Sequence, residues 1–203
     1  MMNRDYRHTK HEITGIILSG GKNIRMGVNK AFLQVGERTI IERTAELFNE
    51  LFTQVILVTN EPQHYAHLNL EIAVDLVPKG GALIGIYTGL FYALHSPCFV
   101  AACDMPFLNP AVIDYMVRLG KNYDVVIPSL DDGYHPTHAL YSRRCIAQIE
   151  QLIGENNFKI TDFFHKVRVR EVTPAEIQSL NPAMDSFLNI NTPEDLEQVR
   201  KQS

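Results

Sequence analysis

The sequence predicts one α/β domain, with a mostly parallel central sheet covered by helices on both faces. Short apolar runs alternate with stretches at helical period along most of the chain, the rhythm of repeated β-α-β units. The runs are continuous rather than alternating, as in strands buried on both faces. A chain of 203 residues suffices for one substantial domain and is short for two.

The elements follow in order. Ile13 to Leu18 reads as the first strand and runs into Ser19-Gly20-Gly21. Ala31 to Val35 reads as a short extended piece, after which Thr39 caps a helix from about Ile40 to Phe52 with apolar residues at helical spacing. Val55 to Val58 and Ile72 to Val74 read as strands; Tyr65 to Leu70, between them, reads as one helical turn or two. Leu83 to Leu94 is a helix and Cys98 to Cys103 a central strand. Asn109-Pro110 opens a helix, with proline where its missing N–H costs nothing. Asp124 to Pro128 and a segment within Tyr134 to Tyr141 are strand-like. Helices are expected from Arg143 to about Ile153 and around Ile160 to His165, and Val167 to Val172 is an edge or late strand. Phe187 to Asn191 reads as extended, with Asn189 and Asn191 on one face, before a final helix from Pro193 to Arg200 capped by Thr192. The polar segment 1–12 reads as a flexible N-terminal extension rather than a secretory signal, which leaves 13–203 as the domain.

Composition excludes several classes. Hydrophobic residues at 45% and charged residues at 21% describe a globular chain, not a disordered one. A net charge of −4 argues against a non-specific nucleic-acid binder, though not against a local basic pocket. No apolar run approaches the roughly 18 residues that a membrane span needs. Cys98, Cys103 and Cys145 form no C-x-x-C pair, and free thiols fit a reducing cytoplasm.

In open α/β sheets ligands bind outside the carboxyl ends of the strands. Gly20-Gly21, Asn60, Asp75, Asp104 and Asn191 all fall at such ends, which points to one composite site. The loop from Gly20 to Lys30 carries three cations, Lys22, Arg25 and Lys30, beside paired glycines that let backbone amides approach phosphate oxygens. An ordinary strand-to-helix turn with a solvated basic loop would look similar. The loop has neither the spacing of a Walker A motif nor that of a G-x-G-x-x-G fingerprint. His135 with His138, and His64 with His67, are spaced three apart but lack the further ligands of a zinc site.

The stretch Leu18-Ser19-Gly20-Gly21, followed by Arg25-Met26-Gly27 and Lys30, resembles the L-A-G-G-x-x-x-R-M-G-x-x-K signature of the molybdenum cofactor guanylyltransferases. Ser19 stands where alanine is usual, and Asn29 where aspartate commonly precedes the lysine. Cys103-Asp104-Met105-Pro106-Phe107-Leu108 resembles that family's C-D-x-P-[FY]-[LI], and His135-Pro136-Thr137-His138-Ala139-Leu140-Tyr141 its H-P-T-x-A-L-Y. Phe187 to Leu196 resembles F-x-N-x-N-T-P-E-[DE]-L, and Ala82 replaces the proline of a G-P-L-x-G loop.

The resemblance covers nearly the whole chain and implies a Rossmann-like three-layer αβα fold of the nucleotide-diphospho-sugar transferase type. The activity it implies is transfer of GMP from GTP to the molybdenum cofactor, Mo-molybdopterin, with Mg²⁺ and release of pyrophosphate. It implies catalytic roles for Lys30, Arg25 and Asp104, with Asp104 as the metal ligand. Nucleotide binding falls to Leu18, Ser19, Gly20, Gly21, Lys30, Asp75 and Asp104; the carboxylate of Asp75 meets either the guanine edge or the ribose. His135, Pro136, Thr137, Asn189 and Asn191 lie on the pterin side. Molybdopterin-insertion proteins and molybdoenzyme chaperones are the implied partners, with no nucleic acid and no membrane. The alternatives are a sister cytidylyltransferase, a transferase for another small phosphate, and a non-catalytic nucleotide-binding adaptor.

Overall fold

The computed structural model describes residues 10–20, 29–190 and 192–202. The expectations for Gly21, Arg25, Asn191 and most of the N-terminal extension therefore lie outside the described residues. The strand β1, His11–Leu18, begins two residues inside the segment expected as that extension.

A 3-10 turn at Lys30–Phe32 and a small hairpin, β2 (Gln34–Val35) with β3 (Arg38–Thr39), replace the extended piece expected at 31–35. Helix α1 (Ile40–Leu51) starts at Thr39, whose hydroxyl accepts from the Glu42 amide while the Glu42 carboxylate accepts from the Thr39 amide. This reciprocal cap satisfies two donors the helix would leave unpaired. Strand β4 (Phe52–Val58) follows directly, then two 3-10 turns, Pro62–His64 and Ala66–Leu68, then β5 (Glu71–Ala73). Helix α2 (Ala82–Tyr92), β6 (Cys98–Ala102), α3 (Pro110–Leu119, capped by Asn109) and β7 (Val125–Leu130) come next. The segment 134–141 divides into β8 (Gly133–Tyr134) and β9 (His138–Tyr141). Helix α4 (Ile146–Gly154), a 3-10 helix at Ile160–Lys166, β10 (Val169–Val172), the unforeseen α5 (Pro174–Gln178) and α6 (Pro193–Gln202) complete the chain.

The sheet order is β5-β4-β1-β6-β9-β7-β10, with β8 paired to β7. Neighbouring pairs are parallel except those of β9, which runs antiparallel to both β6 and β7, and the short β8, antiparallel to β7. Successive residues of β1 face opposite layers, as the pleat requires. Ile13 and Ile17 join Ile41, Phe48, Ile113 and Met116 of α1 and α3, while Ile16 and Leu18 join Leu83, Ile86, Leu90 and Ile149 of α2 and α4. These are the three layers expected. A smaller cluster seats Leu196 and Val199 of α6 on Val35 and Ile40.

Phe187 to Ile190 is not a strand. A 3-10 turn at Asp185–Phe187 leads into a segment that pairs with no ladder, tied down where the Ile190 amide donates to the Asp104 carbonyl. The expectation that Asn189 projects from a strand face is corrected accordingly.

Gly15 sets how closely α1 approaches the sheet, since a Cβ there would lie 2.3 Å from the Phe52 ring and 2.7 Å from the Phe48 ring. Both rings are buried and packed edge-on to each other. The Gly15→Ala protein is expected to lose about 1–3 kcal/mol, the usual cost of overpacking, measured by urea denaturation.

Candidate active site

The in-register ends of four parallel strands build the site. Leu18 pairs with Val58 on one side and Ala102 on the other, and Val58 pairs with Ala73. The residues just beyond these partners therefore reach one rim together: Gly20 after β1, Thr59 and Asn60 after β4, Asp75 after β5 and Asp104 after β6. The chain leaves β1 toward β4 and β5, then returns to add β6 on the opposite side. That reversal makes β1 a topological switch point, where open α/β sheets form their crevice.

A pocket of about 90 Å³ lies there, lined by Gly20, Thr59, Asp75, Gly81, Asp104 and Thr137 among others. A larger groove, about 770 Å³, runs between α1 and the segment Met105 to Pro110, with Arg38, Arg43, Glu46 and Glu50 along it. Size alone favours the groove. The smaller pocket gathers the carboxylates and the exposed glycine at the strand ends, which makes it the candidate site. It forms the floor of the site, being too small to enclose a whole nucleotide.

Lys30, on the 3-10 turn, lies behind the pocket lining and approaches it through Asp104. It is 5% exposed, and its Nζ lies 3.8 Å from Asp104 Oδ2. Burial raises the Asp104 pKa above the ordinary carboxylate value, and the Lys30 ammonium opposes that rise. Asp75 is raised by burial as well, opposed by Asn60, whose amide donates to its carboxylate at 2.8 Å. The two carboxylates thus share one pocket while their neighbours keep them separate. Hard divalent cations take oxygen ligands from one or two carboxylates plus substrate phosphates. Asp104, whose carboxylate has among the described residues no side-chain amide donor of the kind Asn60 gives Asp75, is the candidate for such a cation. Among the described residues no three metal-binding side chains cluster.

Gly20 is exposed and lines the pocket, with open space where a side chain would project. Leu18 forms a wall, and its carbonyl accepts from the Cys103 amide, which ties β1 to the start of the Asp104 loop. Ser19 departs from expectation. Its amide donates to the Val58 carbonyl at 2.9 Å, continuing the sheet, so this amide is not available to a phosphate. Its hydroxyl turns inward to Tyr65 Oη at 2.5 Å. Across the pocket Gly80 and Gly81 take φ values of +65° and +100°, which favour glycine and bring the chain to the start of α2.

Among the described residues of the expected pterin side, Thr137 is the one that lines the pocket. Pro136 accepts from the Tyr141 hydroxyl through its carbonyl, and His135 lies 3.0 Å from Asp132 with its ring edge-on to Phe187. Asn189 sits beside the Asp104 loop through Ile190, and its buried Oδ1 has no hydrogen-bond partner among the described residues. His138 is wholly buried between Phe99 and Phe187, and burial holds its pKa down to about 3. It is therefore neutral and packs between the two rings, and among the described residues it belongs to no cluster of metal-binding side chains. His64 and His67 are exposed, as expected.

Sequence reading missed Tyr65, which is 0% exposed. Its signal would have been a large aromatic among polar neighbours in a connection otherwise at the surface.

Against known proteins, the MobA-like NTP transferase domain matches residues 15–169. A "Probable molybdenum cofactor guanylyltransferase" of Pelotomaculum thermopropionicum is 38% identical over 189 residues, covering 93% of this chain and 92% of its own. A "Molybdenum cofactor guanylyltransferase" of Desulfosudis oleivorans is also 38% identical, covering 92% and 94%. The crystal structure of molybdopterin-guanine dinucleotide biosynthesis protein A from Archaeoglobus fulgidus superposes with a TM-score of 0.82 at 26% identity, covering 93% of this chain and 97% of that one. The matches span the whole sheet and every strand end at the pocket, and the chain belongs to the MobA-like NTP transferase family of nucleotidyltransferases.

Proposed function

We propose that this enzyme transfers GMP from GTP to Mo-molybdopterin, releasing pyrophosphate and forming the guanine dinucleotide form of the molybdenum cofactor. The observation that carries the reading is the buried Lys30 ammonium beside Asp104, a carboxylate that lines one pocket with Gly20, Asp75 and Thr137. The relatives' names supply the two substrates.

The nucleophile is the terminal phosphate of molybdopterin, which attacks the α-phosphorus of GTP and displaces pyrophosphate. A phosphate monoester with a second pKa near 6 is largely ionised at neutral pH, so no side-chain base is required. The protein's work is to position the two phosphates in line and to offset their charge. Lys30, held beside Asp104, stabilises the negative charge that grows on the departing pyrophosphate. Arg25 is assigned the same role from the motif. Asp104 would hold Mg²⁺, which would supply Lewis-acid neutralisation of phosphate charge. Asp75 and the start of α2 receive the nucleoside, and Thr137, His135 and Asn189 face the pterin. The product then passes to molybdopterin-insertion proteins and molybdoenzyme chaperones in the cytoplasm. Three buried free thiols suit that compartment, and among the described residues no helix is long and apolar enough to cross a membrane.

Pyrophosphate release with Mg²⁺ and molybdenum cofactor is expected with GTP and not with CTP or ATP. Release with CTP instead would move the chain to the cytidylyl sister group, and GTP binding without release would leave an adaptor. Lys30→Ala is expected to lower kcat by roughly 10²–10³, the scale of one lost charge-stabilising group, with a small change in unfolding midpoint. An unchanged rate would remove Lys30 from the mechanism.

Divalent-cation binding should also depend on pH. Because burial raises the Asp104 pKa, the carboxylate becomes available only above the ordinary value near 3.8, and binding is expected to rise with pH through a midpoint above it. Removing Lys30 removes the cation that lowers this pKa, so Lys30→Ala should move the midpoint further up. Calorimetric titration with Mn²⁺ across the pH range reads both.

A further inference from the structure

Lys30 is carried on a short turn that would have little rigidity alone. The turn is fixed from outside by Tyr65. The Tyr65 ring stacks on Phe32, the last residue of the turn, at 5.1 Å between centroids. Its hydroxyl lies 3.0 Å from Asn29 Nδ2 and 2.5 Å from Ser19 Oγ. Tyr65 is itself anchored between two 3-10 turns, its amide donating to the Pro62 carbonyl and its carbonyl accepting from the Leu68 amide.

We propose that Ser19, Tyr65 and Asn29 form a positioning relay that holds the Lys30 turn against the end of β1, and that Ser19 is required because residue 29 is asparagine. The proposal uses the guanylyl-transfer reading only for what Lys30 does once it is placed.

The hydrogen positions follow from the contacts. The Ala31 amide donates to Asn29 Oδ1 at 3.1 Å, so the oxygen of that side-chain amide faces the turn and the NH₂ faces the phenol. An NH₂ group only donates, and the Tyr65 oxygen must accept. The phenol's own hydrogen is then directed away from Asn29, and the Ser19 oxygen is the acceptor within reach. Ser19 remains able to turn its own hydrogen toward the Cys103 thiol beside it. With Tyr65 fully buried, a phenol hydrogen without an acceptor would be costly.

An aspartate at 29 would reverse this polarity. Its carboxylate would accept from Ala31 with one oxygen and from the phenol with the other, and the phenol would need nothing from residue 19. The two departures from the L-A-G-G-x-x-x-R-M-G-x-x-K pattern, Ser19 for alanine and Asn29 for aspartate, are therefore one matched change. The hydroxyl supplies the acceptor that the asparagine cannot.

The test is conditional. In the natural Asn29 background, Ser19→Ala leaves the phenol hydrogen unpaired and loosens the Lys30 turn. Acetylation of Lys30 by an N-hydroxysuccinimide ester, followed by peptide mass spectrometry without nucleotide, should speed up roughly tenfold, the scale of one unsatisfied buried donor. GTP turnover should fall by a similar factor in kcat with KM for GTP little changed. Asn29→Asp alone should resemble the natural protein, because Ser19 can then donate to the phenol. Adding Ser19→Ala to Asn29→Asp should change labelling and kcat by no more than about twofold, a failure of additivity that marks direct coupling. If Ser19→Ala does not fold by itself, recovery of folded protein in the double variant makes the same comparison. An equal effect of Ser19→Ala in both backgrounds, or no effect on Lys30 labelling in the first, would overturn the relay. If the natural protein releases no pyrophosphate from any nucleotide, the transfer reading fails, while Lys30 labelling still decides the relay.

Discussion

The register in which β1 is clamped between β4 and β6 is the constraint on which the rest depends. Parallel strands in register end together, so whatever follows each strand is delivered to one rim. Here the pairings Leu18 with Val58 and Ala102, and Val58 with Ala73, put Gly20, Asp75 and Asp104 within one pocket although they are far apart in the chain. Three backbone hydrogen bonds extend the clamp beyond the strands: Ser19 to Val58, Thr59 to Ala73 and Cys103 to Leu18. Gly15 and the Phe48–Phe52 pair on one face, and Gly89 against Ile16 on the other, allow the covering helices to approach the same strand closely. The site is rigid at its base because it is an extension of the core.

On that base, charge is placed where water is scarce. Asp104 and Lys30 are both largely withdrawn from solvent, and each moderates the cost of burying the other. At 3.8 Å the pair is held together but not locked in a short bidentate contact. Such a pair can exchange partners when a cation meets the carboxylate and a phosphate meets the ammonium. Asp75 is kept out of this exchange by Asn60, which satisfies its carboxylate from the neighbouring strand end. The two carboxylates at the pocket therefore differ in their partners, a buried ammonium for Asp104 and a neutral amide for Asp75.

Much of this was legible in the sequence because it follows from local rules. Continuous apolar runs marked β1, β4 and β6, Thr39 and Asn109 marked helix starts, and Asp104 and Asp75 declared themselves by ending strands. What was not legible came from tertiary hydrogen bonding. Ser19 read as part of a phosphate cradle, but its amide completes the sheet and its hydroxyl faces the interior. Asn189 read as a strand residue, but Phe187 to Ile190 finds no neighbouring ladder and is held through the Asp104 carbonyl. β9 looked like any other strand, and only its pairing shows that it runs against both neighbours. Periodicity reports which side of an element is buried; it says nothing of which distant backbone group completes a hydrogen bond.

Tyr65 shows why motif residues are better read as a set than one by one. Taken singly, Ser19 is a small residue in place of alanine, and Asn29 exchanges a carboxylate for an amide of the same shape. Size and shape suggest that both are neutral. The phenol makes them interdependent, because a buried hydroxyl has one hydrogen to give and the partner that receives it depends on what the other partner is. The turn bearing Lys30 then inherits its position from a residue that no signature includes. A motif of this kind records which side chains touch the substrate. The residues that aim them lie in connections such as 62–68, where only packing and hydrogen-bond polarity reveal them.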